Sequence, residues 1–335
     1  MNTPFEVLTE VYRGKYINGK LVDPLWESAH LGIAVLVDED GQVLYSKGDI
    51  HYKGYIRSAA KPFQVLPLLE SQAPSHFGFS DEELALMCAS HNGEPVHVRT
   101  AASILKKIGL EEKHLGCGSH LPMHIPTAEG MLWQQERPGP LHNNCSGKHG
   151  GMLAYCVYHN LAVDHYLDFD HPLQVTIKKK IEHMLHAPVQ SGTDGCSAPV
   201  FHMEVYQMAF LYAQLAARKT PALKKAFSLM HHYPYMIAGD DRFDTDLMQN
   251  SSVVAKIGAE GIECVAIPAE GSRKAMGLTV KIADGAFRAL YPPVISILRQ
   301  YGILSEDQLT KLKKYYPSIV TNHNKYEVGY IQSAV

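Results

Sequence analysis

The sequence predicts an α/β fold: one antiparallel sheet of about five strands, built from both chain ends and flanked by helices, with a helical region in the middle. Three observations predict it. Strand-like apolar runs gather in residues 10–55 and 255–292. The intervening stretch, roughly 58–250, carries helix caps and helical patterning instead. Two sets of strands at opposite ends of a chain satisfy their backbone groups most economically by pairing with each other. A single domain over 1–335 is the expectation.

Taken in order, residues 31–37 and 42–46 are apolar runs around Asp38-Glu39-Asp40-Gly41, which reads as a hairpin. Ser80 followed by Asp81, Glu82 and Glu83 is a capping box, so a helix runs from there to about residue 89. Pro95 suits the first turn of a second helix ending near Ile108 and Gly109. Further helices are expected over 151–158, 172–185, 202–218 and 292–301. Strands follow over 262–267, 278–282 and 286–290, the last two joined by the turn dipeptide Asp284-Gly285.

Composition narrows the function. The 335 residues are 46% hydrophobic and 19% charged, enough apolar material for a packed core. A net charge of -3 and a pI near 6.7 predict neither a nucleic-acid groove nor a polybasic membrane patch. The first residues lack the basic and apolar regions of a signal peptide, and no run approaches a membrane span. A cytoplasmic protein is expected, with its six scattered cysteines reduced.

Five stretches carry chemistry. In Arg57-Ser58-Ala59-Ala60-Lys61-Pro62, serine and lysine stand three residues apart on one helical turn. A desolvated amine there can take the proton of a hydroxyl; the bland reading is an N-cap serine and a solvated lysine. Ser90-His91-Asn92-Gly93 lies between two helices and offers a second hydroxyl or proton relay, or mere turn chemistry. The run from His142 through Cys145, Lys148 and His149 to Gly151 is longer than a simple connection needs. Asp194-Gly195-Cys196 sits in another polar loop; facing loops would bring two thiols together, a donor pair suited to zinc. Two ordinary buried cysteines would explain it equally. Lys256-Ile257-Gly258 has the form of the Lys-Thr/Ser-Gly element of serine acyl-transfer enzymes, with isoleucine at the hydroxyl position. A solvated lysine before a turn is the plainer reading.

With all five in order, the chain resembles the asparaginase II family typified by rhizobial inducible asparaginases, from Val11 to about Leu290. The resemblance implies a fold like that of serine β-lactamases and glutaminases. It implies hydrolysis of L-asparagine to L-aspartate and ammonia by a cytoplasmic homodimer. Two Ser-Lys pairs are implied, Ser58 with Lys61 and Ser90 with Lys256. Zinc held by Cys145, Lys148 and Cys196, helping to position substrate, is implied as well. Substrate contacts are expected from Arg57, His91, Asn92, His149 and Asp194. The stretch 268–276 departs from the family pattern by carrying Arg273 and Lys274, which makes Lys274 and Lys281 rivals of Lys256. Two other functions fit parts of the pattern: a penicillin-binding or β-lactamase-like acyl transferase, and a zinc-dependent small-molecule sensor without turnover. Nineteen histidines also suggest a metal hydrolase, but Pro122 between His120 and His124 breaks the helix face such a pair requires.

Overall fold

The computed structural model describes residues 3–335 and divides the chain into two compact units. Unit 1 comprises 1–54, 204–217 and 246–335; unit 2 comprises 55–203 and 218–245. Eleven strands are formed in chain order among the described residues. They are β1 (Glu6–Ile17), β2 (Lys20–Asp38), β3 (Val43–Lys47), β4 (Lys53–Tyr55), β5 (Gln190–Thr193), β6 (Pro199–Glu204), β7 (Val254–Gly258), β8 (Ile262–Ile267), β9 (Met276–Ile282), β10 (Ser318–Thr321) and β11 (Glu327–Ser333).

Unit 1 is the predicted sheet, enlarged. Its order is β10-β11-β1-β2-β9-β8-β7, with β3 also on β2, so it has eight strands rather than five. Every pairing along it is antiparallel, and the two chain ends meet where β2 pairs β9, Ala34 opposite Val280. Helix Val205–Ala217 presents Val205, Ala209 and Ala213 to Ile33, Val35 and Val37, alternate residues of one face of β2. All six are fully buried. Gly277 of β9 lies so close to this helix that a Cβ there would strike the Ala209 carbonyl.

Two expectations for this unit change. Residues 286–290 form no strand: the Ala286 amide donates to Asp284 Oδ1, Gly285 turns at φ 76°, and a short 3-10 turn, Phe287–Ala289, leads into helix Tyr291–Gln300. The predicted helix over 202–218 begins only at Val205, because residues before it form β6.

Unit 2 is chiefly helical. The capping box at Ser80 is present, with Ser80 Oγ accepting from the Glu83 amide. Helix Asp81–Leu86 stops three residues short of the expected end, and Pro95–Lys107 follows as read. Helix Ser146–Tyr158 starts earlier than predicted and is buried from Ser146 through Ala154. Its glycines explain how: a Cβ on Gly147 would strike the Leu86 carbonyl, and one on Gly151 would press on Met87. Close approach of this helix to the Leu86–Met87 segment is what inters Lys148 and His149. The hairpin β5–β6, in register Thr193 with Pro199, holds the Asp194–Cys196 loop at its tip. No helix among the described residues is long and apolar enough to cross a membrane.

Candidate active site

The site is assembled within unit 2. A 3-10 turn, Arg57–Ala60, runs directly into helix Lys61–Gln64, and the Ile56 amide is tied to the Phe201 carbonyl at 3.0 Å. Arg57 takes a left-handed φ of 54°, a strained conformation one residue before Ser58. Pro62 is tolerated because it falls in the first turn. Ser58 is half-buried; Lys61 is 1% exposed.

Lys61 Nζ donates to the Ser90 hydroxyl at 2.8 Å, the Ala89 carbonyl at 2.6 Å and the Asn144 carbonyl at 3.3 Å. All three contacts of Lys61 Nζ are with neutral groups, and among the described residues no carboxylate pairs with it. A buried amine without a counter-ion is costly, and such groups collect at functional sites. Ser58 and Lys61 share one turn through the Lys61 amide and Ser58 carbonyl, but the Ser58 hydroxyl makes no hydrogen bond among the described residues.

Ser90 is 3% exposed, and its segment is fixed by backbone bonds: Ser90 N to Ile237 O at 2.9 Å and Asn92 N to Ala238 O at 2.8 Å. Within unit 2, the lysine hydrogen-bonded to its hydroxyl is Lys61. Lys256 lies on β7 of unit 1 and donates to the Ile257 carbonyl at 3.0 Å. The rivals are engaged elsewhere in unit 1, Lys274 with Asp38 and Asp40, and Lys281 with the Ile282 carbonyl. β7, at one end of the sheet order, carries Lys256 and pairs with β8.

His91 is fully buried and lies with Nε2 2.9 Å from Ser146 Oγ, while Nδ1 accepts from the Gly93 amide. Burial first, then the neighbouring His97 and Lys61, pushes its pKa well below the ordinary value. It is a neutral ring donating from Nε2.

The cysteine loops meet. Cys145 caps helix Ser146–Tyr158, its amide held by Asn143 Oδ1 at 2.8 Å. Lys148 Nζ reaches Cys196 Sγ at 2.9 Å, and Cys145, Lys148 and Cys196 are all buried. The neighbouring Cys145 thiol, Lys148 and His149 hold Cys196 far below the usual thiol range despite its burial. Cys145 is correspondingly pushed up, by Cys196 and by burial. His149 places Nδ1 2.5 Å from the Tyr166 hydroxyl, and burial lowers its pKa to about 4. Its Nε2 is buried without a hydrogen-bond partner among the described residues.

Two sulfurs and a nitrogen converging beside an orphaned imidazole nitrogen make a donor set that fits a borderline ion such as zinc. The fit depends on the Lys148 amine, which would have to lose its proton; among the described residues no three His, Cys, Asp or Glu side chains are grouped to hold a metal. Arg57 and Asp194, both expected at the substrate, pair with each other: Arg57 Nε to Asp194 Oδ1 is 2.8 Å.

Sequence reasoning missed a polar network beside Ser90. Glu94 accepts from the Tyr235 hydroxyl, from the Asp240 amide at 2.9 Å and from Asn92 Nδ2 at 3.2 Å. Arg242 Nη1 donates to Asn92 Oδ1 at 2.8 Å and approaches the Ser90 carbonyl at 3.5 Å. The signal was available: Gly239-Asp240-Asp241-Arg242 is another polar run directly ahead of a helix, Phe243–Asn250.

Known proteins resemble this chain to different degrees. A search of curated sequences finds no match. Among solved structures, a probable glutaminase from Bacillus subtilis complexed with 6-diazo-5-oxo-L-norleucine is 14% identical, with a TM-score of 0.41 over 81% of this chain and 84% of that one. A Bacillus glutaminase is 12% identical, with a TM-score of 0.39 over 81% and 91%. The family described as L-asparaginase II matches residues 21–333, and with nearly the whole length covered the chain belongs to that amidohydrolase family.

Proposed function

We propose that the protein is an L-asparaginase that hydrolyses L-asparagine to L-aspartate and ammonia through a Ser-Lys centre, acting as a cytoplasmic homodimer. The observation that supports this best is the buried Lys61 amine, hydrogen-bonded to one hydroxyl and a single helical turn from another. Ser58, the more accessible hydroxyl, is the nucleophile in this reading, and Ser90 is the relay that holds Lys61.

Lys61 takes the Ser58 proton as the Ser58 oxygen bonds to the carboxamide carbon. The tetrahedral intermediate collapses with cleavage of the C–N bond, and the departing nitrogen receives a proton from Lys61 by way of Ser90. An aspartyl ester on Ser58 and free ammonia result. Water, deprotonated by the same amine, then attacks the ester and returns the proton to Ser58. Neutral His91 and Ser146 carry no charge into the site and hold the Ser90 segment in place.

Cys145, Lys148 and Cys196 would hold zinc, which supplies a fixed positive charge for positioning substrate. Asp194, carrying the Arg57 ion pair, takes the substrate's α-ammonium.

Ammonia release from L-asparagine, L-glutamine and simple amides, with metal analysis and a chelator arm, tests the reading. Release from L-asparagine with zinc bound to the purified protein is expected. Nitrocefin hydrolysis in place of ammonia release would turn the assignment to the β-lactamase-like alternative, and binding without turnover to the sensor.

A further inference from the structure

A substrate with an α-carboxylate needs a cation that no protein anion already occupies. Arg57 is bound to Asp194, and Lys148 is buried and hydrogen-bonded to Cys196 Sγ. Lys61 is buried and already engaged by the Ser90 hydroxyl and the Ala89 and Asn144 carbonyls. Arg242 is different. Its guanidinium is half-buried, and both acceptors it meets, Asn92 Oδ1 and the Ser90 carbonyl, are neutral. Among the described residues it has no carboxylate partner, because Glu94 close by is occupied by Tyr235, Asn92 and the Asp240 amide.

Both contacts use Nη1, so Nη2 and Nε stay available in the planar fork that matches a carboxylate bidentately. The preceding residue, Asp241, adopts a left-handed φ of 53°, and the backbone is thus turned sharply just where this side chain leaves it. Position completes the case. Arg242 approaches the carbonyl of the residue whose hydroxyl receives Lys61, so cation and reacting hydroxyl system lie within one residue of each other. In asparagine the α-carboxylate carbon is three bonds from the carboxamide carbon, a separation on the same scale.

We infer that Arg242 is the specificity-determining residue that binds the substrate's α-carboxylate, anchored for that task by Asn92 and the Ser90 carbonyl. The inference rests on the amide-hydrolase reading for its substrate but not for its test. L-asparagine is compared with 3-aminopropanamide, which lacks only the α-carboxylate, in wild type and Arg242→Gln. The variant is expected to lose about 100-fold in kcat/KM on L-asparagine, mostly through KM, with 3-aminopropanamide changed less than about twofold.

A calorimetric arm measures binding of L-aspartate against 3-aminopropanoate, and the same loss should fall on L-aspartate alone. Arg242→Lys, keeping the charge without the fork, should recover part of it and serves if the glutamine variant does not fold. Absence of ammonia release from L-asparagine by the wild type would sink the proposed function, while the binding arm still decides Arg242. Equal losses for both ligands, no loss for either, or no L-aspartate binding by the wild type overturns the assignment.

Discussion

One packing contact of unit 1 and the candidate site of unit 2 bury very different things. Where helix Val205–Ala217 meets β2 in unit 1, the contact is dry: Ile33, Val35, Val37, Ala209 and Ala213 have no polar group among them. Unit 2 hides Lys61, Ser90, His91, Ser146, Lys148 and His149 at 4% exposure or less. Burying polar groups costs stability unless each is hydrogen-bonded, and in unit 2 Lys61 meets Ser90, His91 meets Ser146 and Lys148 meets Cys196. Of these six side chains, His149 alone keeps an atom, Nε2, without a hydrogen-bond partner among the described residues. The difference separates a scaffold from a reactive interior, and it implies that equally buried side chains should fail in opposite ways when replaced.

Lys61→Met is the sharpest break. The substitution keeps volume and removes the amine, so kcat for ammonia release should fall by about 10³-fold, near 4 kcal/mol of barrier, with the melting temperature held or raised. A variant retaining a tenth of the activity would put the base elsewhere. Ile33→Ala sharpens the contrast from the other unit. Removing a fully buried side chain should cost about 2–5 kcal/mol in denaturant unfolding, while kcat per folded molecule stays within about twofold.

Glu83 gives a smaller effect and marks the limit of the comparison, since it is a buried charge of unit 2 with a structural role. Burial by itself would raise its pKa, but Lys107 at 2.6 Å, the Ser80 amide and the Ser103 hydroxyl outweigh that and hold it below the ordinary value. A depressed carboxyl pKa contributes stability above the unfolded-state value, near 4.3, and loses it as pH falls through the folded one. Glu83→Gln should therefore flatten the acid limb of a stability-versus-pH curve and leave the neutral-pH activity alone. An acid limb unchanged by the substitution would remove Glu83 from that role.

What the sequence disclosed, and what it withheld, follows the same division. The candidate residues were legible because each stands in a short polar run, Cys145 ahead of a helix and Cys196 at the tip of the β5–β6 hairpin. The alliance of Lys61 with Ser90 was not, since 29 residues separate them and only the packing of unit 2 joins them. Local spacing suggested only Ser58 for Lys61, and the pairing of Ser90 with Lys256 came from the family resemblance. Arg242 was overlooked because its partners, Asn92 and the Ser90 carbonyl, lie about 150 positions upstream.

In the sheet, β2, β8 and β9 announced themselves as apolar runs. β1 and β11 did not: charged and polar residues interrupt their alternation, and partial exposure leaves pairing with each other to define them.

The central claim is that Lys61 activates Ser58 for attack on a carboxamide. An asparagine analogue carrying a diazoketone in place of the carboxamide, followed by digestion and mass spectrometry, tests it directly. The account predicts one adduct per chain, on Ser58, that disappears in Lys61→Met. An adduct on Ser90, Cys145 or Cys196, or labelling of Ser58 that survives loss of Lys61, would contradict it.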